Sequence, residues 1–398
     1  MPDPRSVLKD RACRSVDSQR EQLTGLSARI HATPELNFQE ERAAGWLTDY
    51  LESYGLKVER GAYGLKTGFA ARAGRGEPKV AILCEYDALP GIGHACGHNI
   101  IAAAGAGAGV AVASMLAETG GSVVVLGTPA EEGGGGKIIM ARAGAFDGVD
   151  AAMMIHPAGV DLPGMNVLAV CQFEVEYKGR SAHASAFPHR GINALDALVT
   201  GYNAIAQLRQ HIRPSERVHG IITDGGQAAN IVPERSAGVF MVRAATAPRL
   251  EQLKQRVLGC FRAGAEATGA DLHVHPLVED YSDMWTNEPL SAMYGANAGL
   301  VGRTLLQPSA TTDAVAGSTD MGNVSKLVPS IHPMIAVAPP HVPLHSIEFA
   351  RWTASEQADR AVIDGAKILA MTAVDVLCDS DLRRAMHAAF TAQRDREA

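Results

Sequence analysis

The 398-residue chain has no cysteines at paired spacing: Cys13, Cys84, Cys96, Cys171, Cys260 and Cys378 are scattered along it. That scatter excludes a disulfide framework and points to a reducing compartment, the cytoplasm. There is no basic run, and the formal net charge is −7. A nucleic-acid partner is therefore not expected. No apolar run reaches the length of a membrane span, so no membrane partner is expected either. The first residues, Met1 to Ser6, carry charge and no apolar h-region, so no signal peptide is expected. Internal repeats and low-complexity segments are also missing. What remains is an ordinary globular composition, 46% hydrophobic and 20% charged, with length enough for two domains.

Against this background one stretch gathers chemistry. It runs Glu85-Tyr86-Asp87-Ala88-Leu89-Pro90-Gly91-Ile92-Gly93-His94-Ala95-Cys96-Gly97-His98-Asn99. The preceding run, Lys79 to Cys84, reads as a buried strand, and Ile100 to about 117 reads as a buried helix. Gly105, Gly107 and Gly109 in that helix would let neighbours approach closely. Open α/β sheets place ligands in such strand-to-helix loops. His94, Cys96 and His98 are spaced by two, so in an extended loop their side chains point one way. A thiol beside imidazoles suits zinc or manganese. Read alone, the loop fits a buried free cysteine with surface histidines equally well.

Taken in order, residues 6–33 read as a helix that stops at Pro34, and Phe38 to Tyr54 as a second, amphipathic one. Strands follow at 56–59 and 67–72. Ser122 to Pro129 is a second core strand and ends in Glu131-Glu132 before four glycines. After a helix at 137–143, Ala151 to Ile155 is a third, ending in His156-Pro157. Three core strands thus finish on metal-competent or proton-competent residues, and strand ends on one side of a parallel sheet converge. Residues 171–277 change character and read β-α-β-β-α-β, the ferredoxin-like order of an inserted domain. The first domain resumes with a helix at 289–302, a loop at 318–323, a strand at 335–338 and a long helix at 347–376. A further helix is expected from 379 onward.

Amide hydrolysis near neutral pH needs an activated water, a polarised carbonyl and a proton for the leaving amine. In Glu131-Glu132 one carboxylate can bind metal while its neighbour acts as general base. Asp87 is placed to accept the second N–H of a ligating imidazole, or else caps a turn before Pro90.

These residues resemble the dimeric metallo-amidohydrolases of the aminoacylase and carboxypeptidase superfamily. Within it they look most like the aminobenzoyl-glutamate hydrolases, β-alanyl dipeptidases and N-acyl-amino-acid hydrolases. The matching stretches are Pro34-Glu35-Leu36 with Glu40-Glu41, Glu85 to Pro90, His94 to His98, Glu131 to Gly134, Ser181 to Ala184, Gly191 to Ala197, Asn230 to Glu234 and Leu344-His345-Ser346. They span nearly the whole chain.

The resemblance implies an α/β catalytic domain, with a central mixed sheet and helices on both faces, over 1–168 and 283–398. An inserted α+β ferredoxin-like dimerisation or lid domain would occupy 169–282. It implies one or two divalent ions per subunit, manganese or zinc, on Cys96, His98, Glu132, His156 and His345. Glu131 matches the general base and Asp87 the residue that orients the metal site. His183 matches a histidine that reaches into the partner's active site in a homodimer. Asn230 and Arg243 match positions that bind the carboxylate of a small-molecule substrate. The implied reaction is hydrolysis of the amide bond of a dipeptide or an N-acyl or N-aroyl amino acid. Deamination of a small aromatic acid, or ligand binding without catalysis, are the alternatives. The chain departs from the pattern at Asn99, where Asp is commoner, and at Glu85, where many members carry a ligand histidine. Phe187 lengthens the loop after His183, as in the dipeptidase-like branch.

Overall fold

A computed structural model describes residues 4–307 and 316–397. Met1 to Asp3, half of the stretch read above for its lack of an apolar h-region, lie outside them. The chain divides into two compact units, Met1–Asn166 with Met284–Ala398, and Val167–Asp283.

The larger unit is built on a six-stranded sheet. Its strands are β1 (Lys57–Arg60), β2 (Phe69–Gly74), β3 (Lys79–Cys84), β4 (Ser122–Gly127) and β5 (Ala151–Met153). Ser330–Ile331 completes it at the edge beside β5. β3 runs parallel to both β4 and β5, whereas β1–β2 and β2–β4 are antiparallel, so the sheet is mixed. Alternation along the central strands fills two cores. Val80, Ile82, Val123 and Met153 face one, and Ala81, Leu83, Val124 and Ala152 face the other. A strand buried on both faces must be apolar throughout, which is what β3 and β4 show.

The helix α1 (His98–Ala113) lies in the first of these cores and is buried from His98 to Val112. Its glycines are contact points: a Cβ on Gly105 would sit 2.7 Å from Cys84 Sγ, and one on Gly109 would sit 2.1 Å from Val125 Cγ2. Only a bare backbone fits at that separation.

Several elements differ from expectation. The helix expected over 6–33 is two, Pro4–Ser18 and Arg20–Ala32, broken at Gln19, whose side chain turns back to the Ser15 carbonyl. The helix expected over 347–376 is also two, because Ser355 caps a new helix at Glu356 through the Ala358 N–H. The segment read as a loop at 318–323 runs into the short helix Met321–Ser325. After β5 the chain switches partner, and His156–Ala158 pairs with Met334–Ala336.

The smaller unit is a four-stranded antiparallel sheet with two helices. In spatial order the strands are Asp271–Pro276, Ala169–Lys178, Arg235–Ala244 and Arg217–Asp224. Ala194–Leu208 and Ala247–Thr268 are the helices, so the chain order is β-α-β-β-α-β. Phe173, Val175, Tyr177, Phe240 and Val242 pack with Leu198, Leu253, Val257 and Phe261 in its core. The other face of Ala169–Lys178 alternates to half-exposed residues.

Candidate metal centre

Because β3, β4 and β5 are parallel, Glu85, the Glu131-Glu132 turn and His156 leave the sheet at the same edge. Gly97 brings the Cys96–His98 turn against them. It has φ +81°, and a Cβ there would lie 2.7 Å from the Pro157 ring. The left-handed turns at Gly93 and Gly97 also break the extended path assumed for His94, Cys96 and His98. Cys96 and His98 therefore meet, while His94 turns away and packs its ring 6.1 Å from that of His31.

Two of the ligand-type histidines, His98 and His156, have one nitrogen committed. His98 Nδ1 donates to Asp87 Oδ1 at 3.0 Å, and His156 Nδ1 donates to the Pro157 carbonyl at 2.9 Å. Neither acceptor carries a proton to give, so in the neutral form of both rings the lone pair is on Nε2. His156 Nε2 lies 3.3 Å from Cys96 Sγ. His98 Nε2 faces Glu85 Oε2 at 3.5 Å, Glu132 Oε1 at 3.8 Å and Glu131 Oε2 at 4.0 Å. His345, at φ +60°, brings its Nε2 to 3.4 Å from Glu132 Oε1. Asp87 ties the set together, since its Oδ2 accepts the Glu132 N–H at 2.9 Å.

Three clusters of potential ligand atoms result: Cys96, His98 and His156; Cys96, Glu132 and His345; and Glu85, His98 and Glu131. Tetrahedral bonds of about 2.0–2.3 Å place ligand atoms roughly 3.3–3.7 Å apart, the spacing of the closest pairs here. His98 Nε2 and Glu132 Oε1 are buried with no hydrogen-bond partner. Orphaned buried atoms of this kind are costly, and a divalent cation would satisfy them. The donor set thus fits a metal ion.

The electrostatics agree. Burial, with the charge of Glu132, pushes the Cys96 thiol well above its usual range. Burial, with Glu85, Glu132 and Asp320 close by, does the same to the Glu131 carboxyl. Burial lowers His156 to about 4. Burial opposes the Asp87 carboxylate too, but the attraction of His98 outweighs it and holds Asp87 below the ordinary carboxylate range. Such a crowd of buried acids with a thiol holds more negative than positive groups, and a bound cation would bring the Cys96 thiol and the Glu131 carboxyl back down.

Some residues of this edge escaped the sequence reading. Lys137, fully buried, places Nζ 2.5 Å from Glu85 Oε1 and 2.6 Å from Asp320 Oδ1. The ammonium offsets the carboxylate that stands where a ligand histidine is common. His332 follows the strand at 330–331 as His156 follows β5, and its ring lies 5.2 Å from that of His156. A lysine behind four glycines and a histidine before a proline carry no signal by spacing.

The remaining candidates lie in the smaller unit. His183 is exposed, and its Nδ1 accepts the Ala186 N–H at 3.2 Å and the Ser185 N–H at 3.3 Å. The neutral ring must then carry its proton on Nε2, which makes that atom a donor. Asn230 is adjacent, because its carbonyl accepts the Ala184 N–H and His183 bridges to Ile231. Arg243 does not join them. It sits toward the far end of the strand Arg235–Ala244, eight residues and roughly 26 Å of strand from Arg235.

Comparison with known proteins supplies the frame. Residues 169–268, within the smaller unit, match the family described as the peptidase dimerisation domain. The chain is 39% identical to the Xaa-Arg dipeptidase of Mus musculus, over 93% of its own length and 89% of that relative. It is 30% identical to one of the subunits of the p-aminobenzoyl-glutamate hydrolase of Escherichia coli, with 92% of each chain covered. A dinuclear metal-binding peptidase of the M20 family from Bacillus subtilis shares the fold, with TM-score 0.69, 21% identity, and 91% and 99% of the two chains covered. With its own cluster of buried ligand-type residues and relatives matched over nearly their full length, the chain belongs to the metallo-amidohydrolase superfamily of the aminoacylases and carboxypeptidases, and is a hydrolase of C–N bonds.

Proposed function

We propose that the protein cleaves the amide bond of a dipeptide or an N-acyl amino acid that ends in a free carboxylate, with Glu131 as general base. One observation carries this reading: five ligand-type side chains from distant parts of the sequence converge at one sheet edge beside a carboxylate of their own. Similarity to relatives named Xaa-Arg dipeptidase favours a dipeptide with a basic C-terminal residue.

Cys96, His98 and His156 would hold one divalent ion, and Cys96, Glu132 and His345 a second. A thiolate among imidazoles favours zinc or manganese. When bound, such ions supply Lewis acidity that activates water and polarises the scissile carbonyl. The rest falls to the chain's own groups. Asp87 holds the His98 ring with Nε2 inward and fixes the Glu132 backbone through its other oxygen. Glu131, buried beside the ligands, takes a proton from the attacking water and returns it to the leaving amine. His183 offers its Nε2–H to the developing oxyanion, and neighbouring Asn230 grips the substrate. Arg243 would serve a carboxylate only at a subsite separate from Asn230 of the same protomer.

The inserted unit would join two copies into a homodimer, so that His183 serves the partner's site. The edge strand Arg217–Asp224 supports this, since it exposes Ile221 (65%) and Ile222 (43%) beside unpaired backbone. Six free cysteines support a cytoplasmic, reducing setting. Among the described residues no helix is long and apolar enough to cross a membrane.

A panel of dipeptides and aroyl-glutamates, assayed with metal analysis on the same sample, tests the reading. Release of a free amino acid that stops on chelation and returns with manganese or zinc is the expected result. Ammonia as the product, or turnover by fully demetallated protein, would overturn it.

A further inference from the structure

Glu40 is wholly buried, and its hydrogen bonds go to Phe38, Thr67 and the turn that presents the metal-facing side chains rather than to those side chains. Its Oε1 accepts the Ala130 N–H at 3.0 Å and the Phe38 N–H at 2.9 Å, and its Oε2 accepts the Thr67 hydroxyl at 2.8 Å. Ala130 immediately precedes Glu131 and sits at φ +59°. A residue with a Cβ is strained there and stays only when its surroundings hold it. The Ala130 carbonyl then accepts the N–H groups of Gly134 and Gly135, which closes the turn around Glu131-Glu132.

The segment before Glu40 acts on the same turn. Phe38, also left-handed at φ +61°, lies so close to Gly134 that an added Cβ would stand 2.4 Å from its ring. Asn37, with its amide oriented to suit its neighbours, donates to Asp87 Oδ2 and accepts the Gly133 N–H. Glu35 accepts the Arg42 and Ala43 N–H groups at the start of the helix Glu41–Ser53, and its carbonyl accepts the Ala88 N–H. Residues 35–40 thus bracket both the strand end that bears Asp87 and the turn that bears the two glutamates.

We propose that Glu40 is a positioning residue: its carboxyl fastens Ala130 in the left-handed conformation and so aims the Glu131 side chain, while Glu132 enters the ligand set. The proposal rests on the reading of Glu131 as general base. What the role requires is an acceptor oxygen rather than a charge. Burial, helped by the negative charge of Asp87, raises the Glu40 carboxyl to about 7, in keeping with that requirement.

The test uses the full-length, manganese-loaded enzyme and a substrate found in the panel above. A misplacement of about 1 Å can cost about 10²-fold, so Glu40→Ala should lower kcat about 30- to 100-fold. KM should change less than about threefold and bound metal per subunit should hold, since no ligand is removed. Glu40→Gln keeps the acceptor and should stay within about threefold of the native kcat. Adding Ala130→Gly to Glu40→Ala should recover about tenfold, because glycine adopts the same φ unaided. A purely structural role for Glu40 predicts no such recovery. The proposal fails if Glu40→Ala is near-native, or if Ala130→Gly recovers nothing. Should Glu40→Ala not fold, a folded, metal-loaded Glu40→Gln that has lost more than about tenfold overturns it. Glu131→Gln is measured alongside. Activity there would sink the general-base reading itself, whereas an inactive Glu131→Gln beside near-native Glu40→Ala would sink only the bracket.

Discussion

In the larger unit the strands β3 and β4 are buried on both faces and run out into acids, a thiol and imidazoles. In the smaller unit the sheet has one buried face, and its candidate residues His183 and Asn230 sit in exposed segments. Burial decides how much each arrangement reveals. Where polar groups are buried they must find partners, so the hydrogen bonds of Asp87 state which nitrogen of His98 is left for a cation. Where they are exposed, water satisfies them, and it is the local backbone contacts of His183 Nδ1 that betray which nitrogen is the donor. One unit gathers its ligand-type groups into a single cluster, whereas the candidates of the other stand exposed.

The sharpest way to break this contrast is at Glu131. Glu131→Gln should cost about 10³-fold in kcat with bound metal retained, because it removes the base and no ligand. Metal loss in that variant would mean that Glu131 is itself a ligand. Next comes His183→Ala, which should cost about 10²-fold as a lost oxyanion donor, with thermal stability and metal content unchanged. Mixing it with Glu131→Gln should restore some activity if sites are shared between subunits. No recovery despite subunit exchange would confine each site to one chain. Asp87→Asn should weaken metal affinity about 10- to 100-fold, measured by competition with a chelating dye, because the amide no longer fixes the His98 tautomer.

The smallest effect is on pH and stability. Burial raises the folded Glu40 carboxyl from 4.5 to about 7, so folding binds its proton more tightly. The stability this contributes is complete below about 4.5 and disappears as pH rises through about 7. Glu40→Gln cannot ionise. Its melting temperature relative to the native protein should therefore climb across that window and level off above it. A flat difference would show that Glu40 titrates normally.

Much of the larger unit is legible because two-sided burial leaves short apolar runs. Lys79 to Cys84 reads as a strand with the bounds it has, and the convergence of three strand ends is legible too. The misplaced features share a cause. The breaks at Gln19 and Ser355 come from side chains that bond to backbone, where apolar periodicity carries no mark. His94 looks equivalent to Cys96 and His98 because spacing is blind to left-handed turns at Gly93 and Gly97. Resemblance groups Arg243 with Asn230, and the length of one strand separates them.

By itself the sequence determined which residues could carry the chemistry, since residue type sets what can bind a cation, accept a proton or donate to an oxyanion. It also determined the order of strands and helices, through the period of the apolar positions. Only the tertiary structure decided which of those residues meet. That depends on parallel pairing between residues far apart along the sequence (Lys79 with Ser122, Val80 with Ala151), on two left-handed glycines, and on Lys137, Asp320 and Glu40, whose partners are distant in sequence. Proximity of that kind is a property of packing, and no local pattern encodes it.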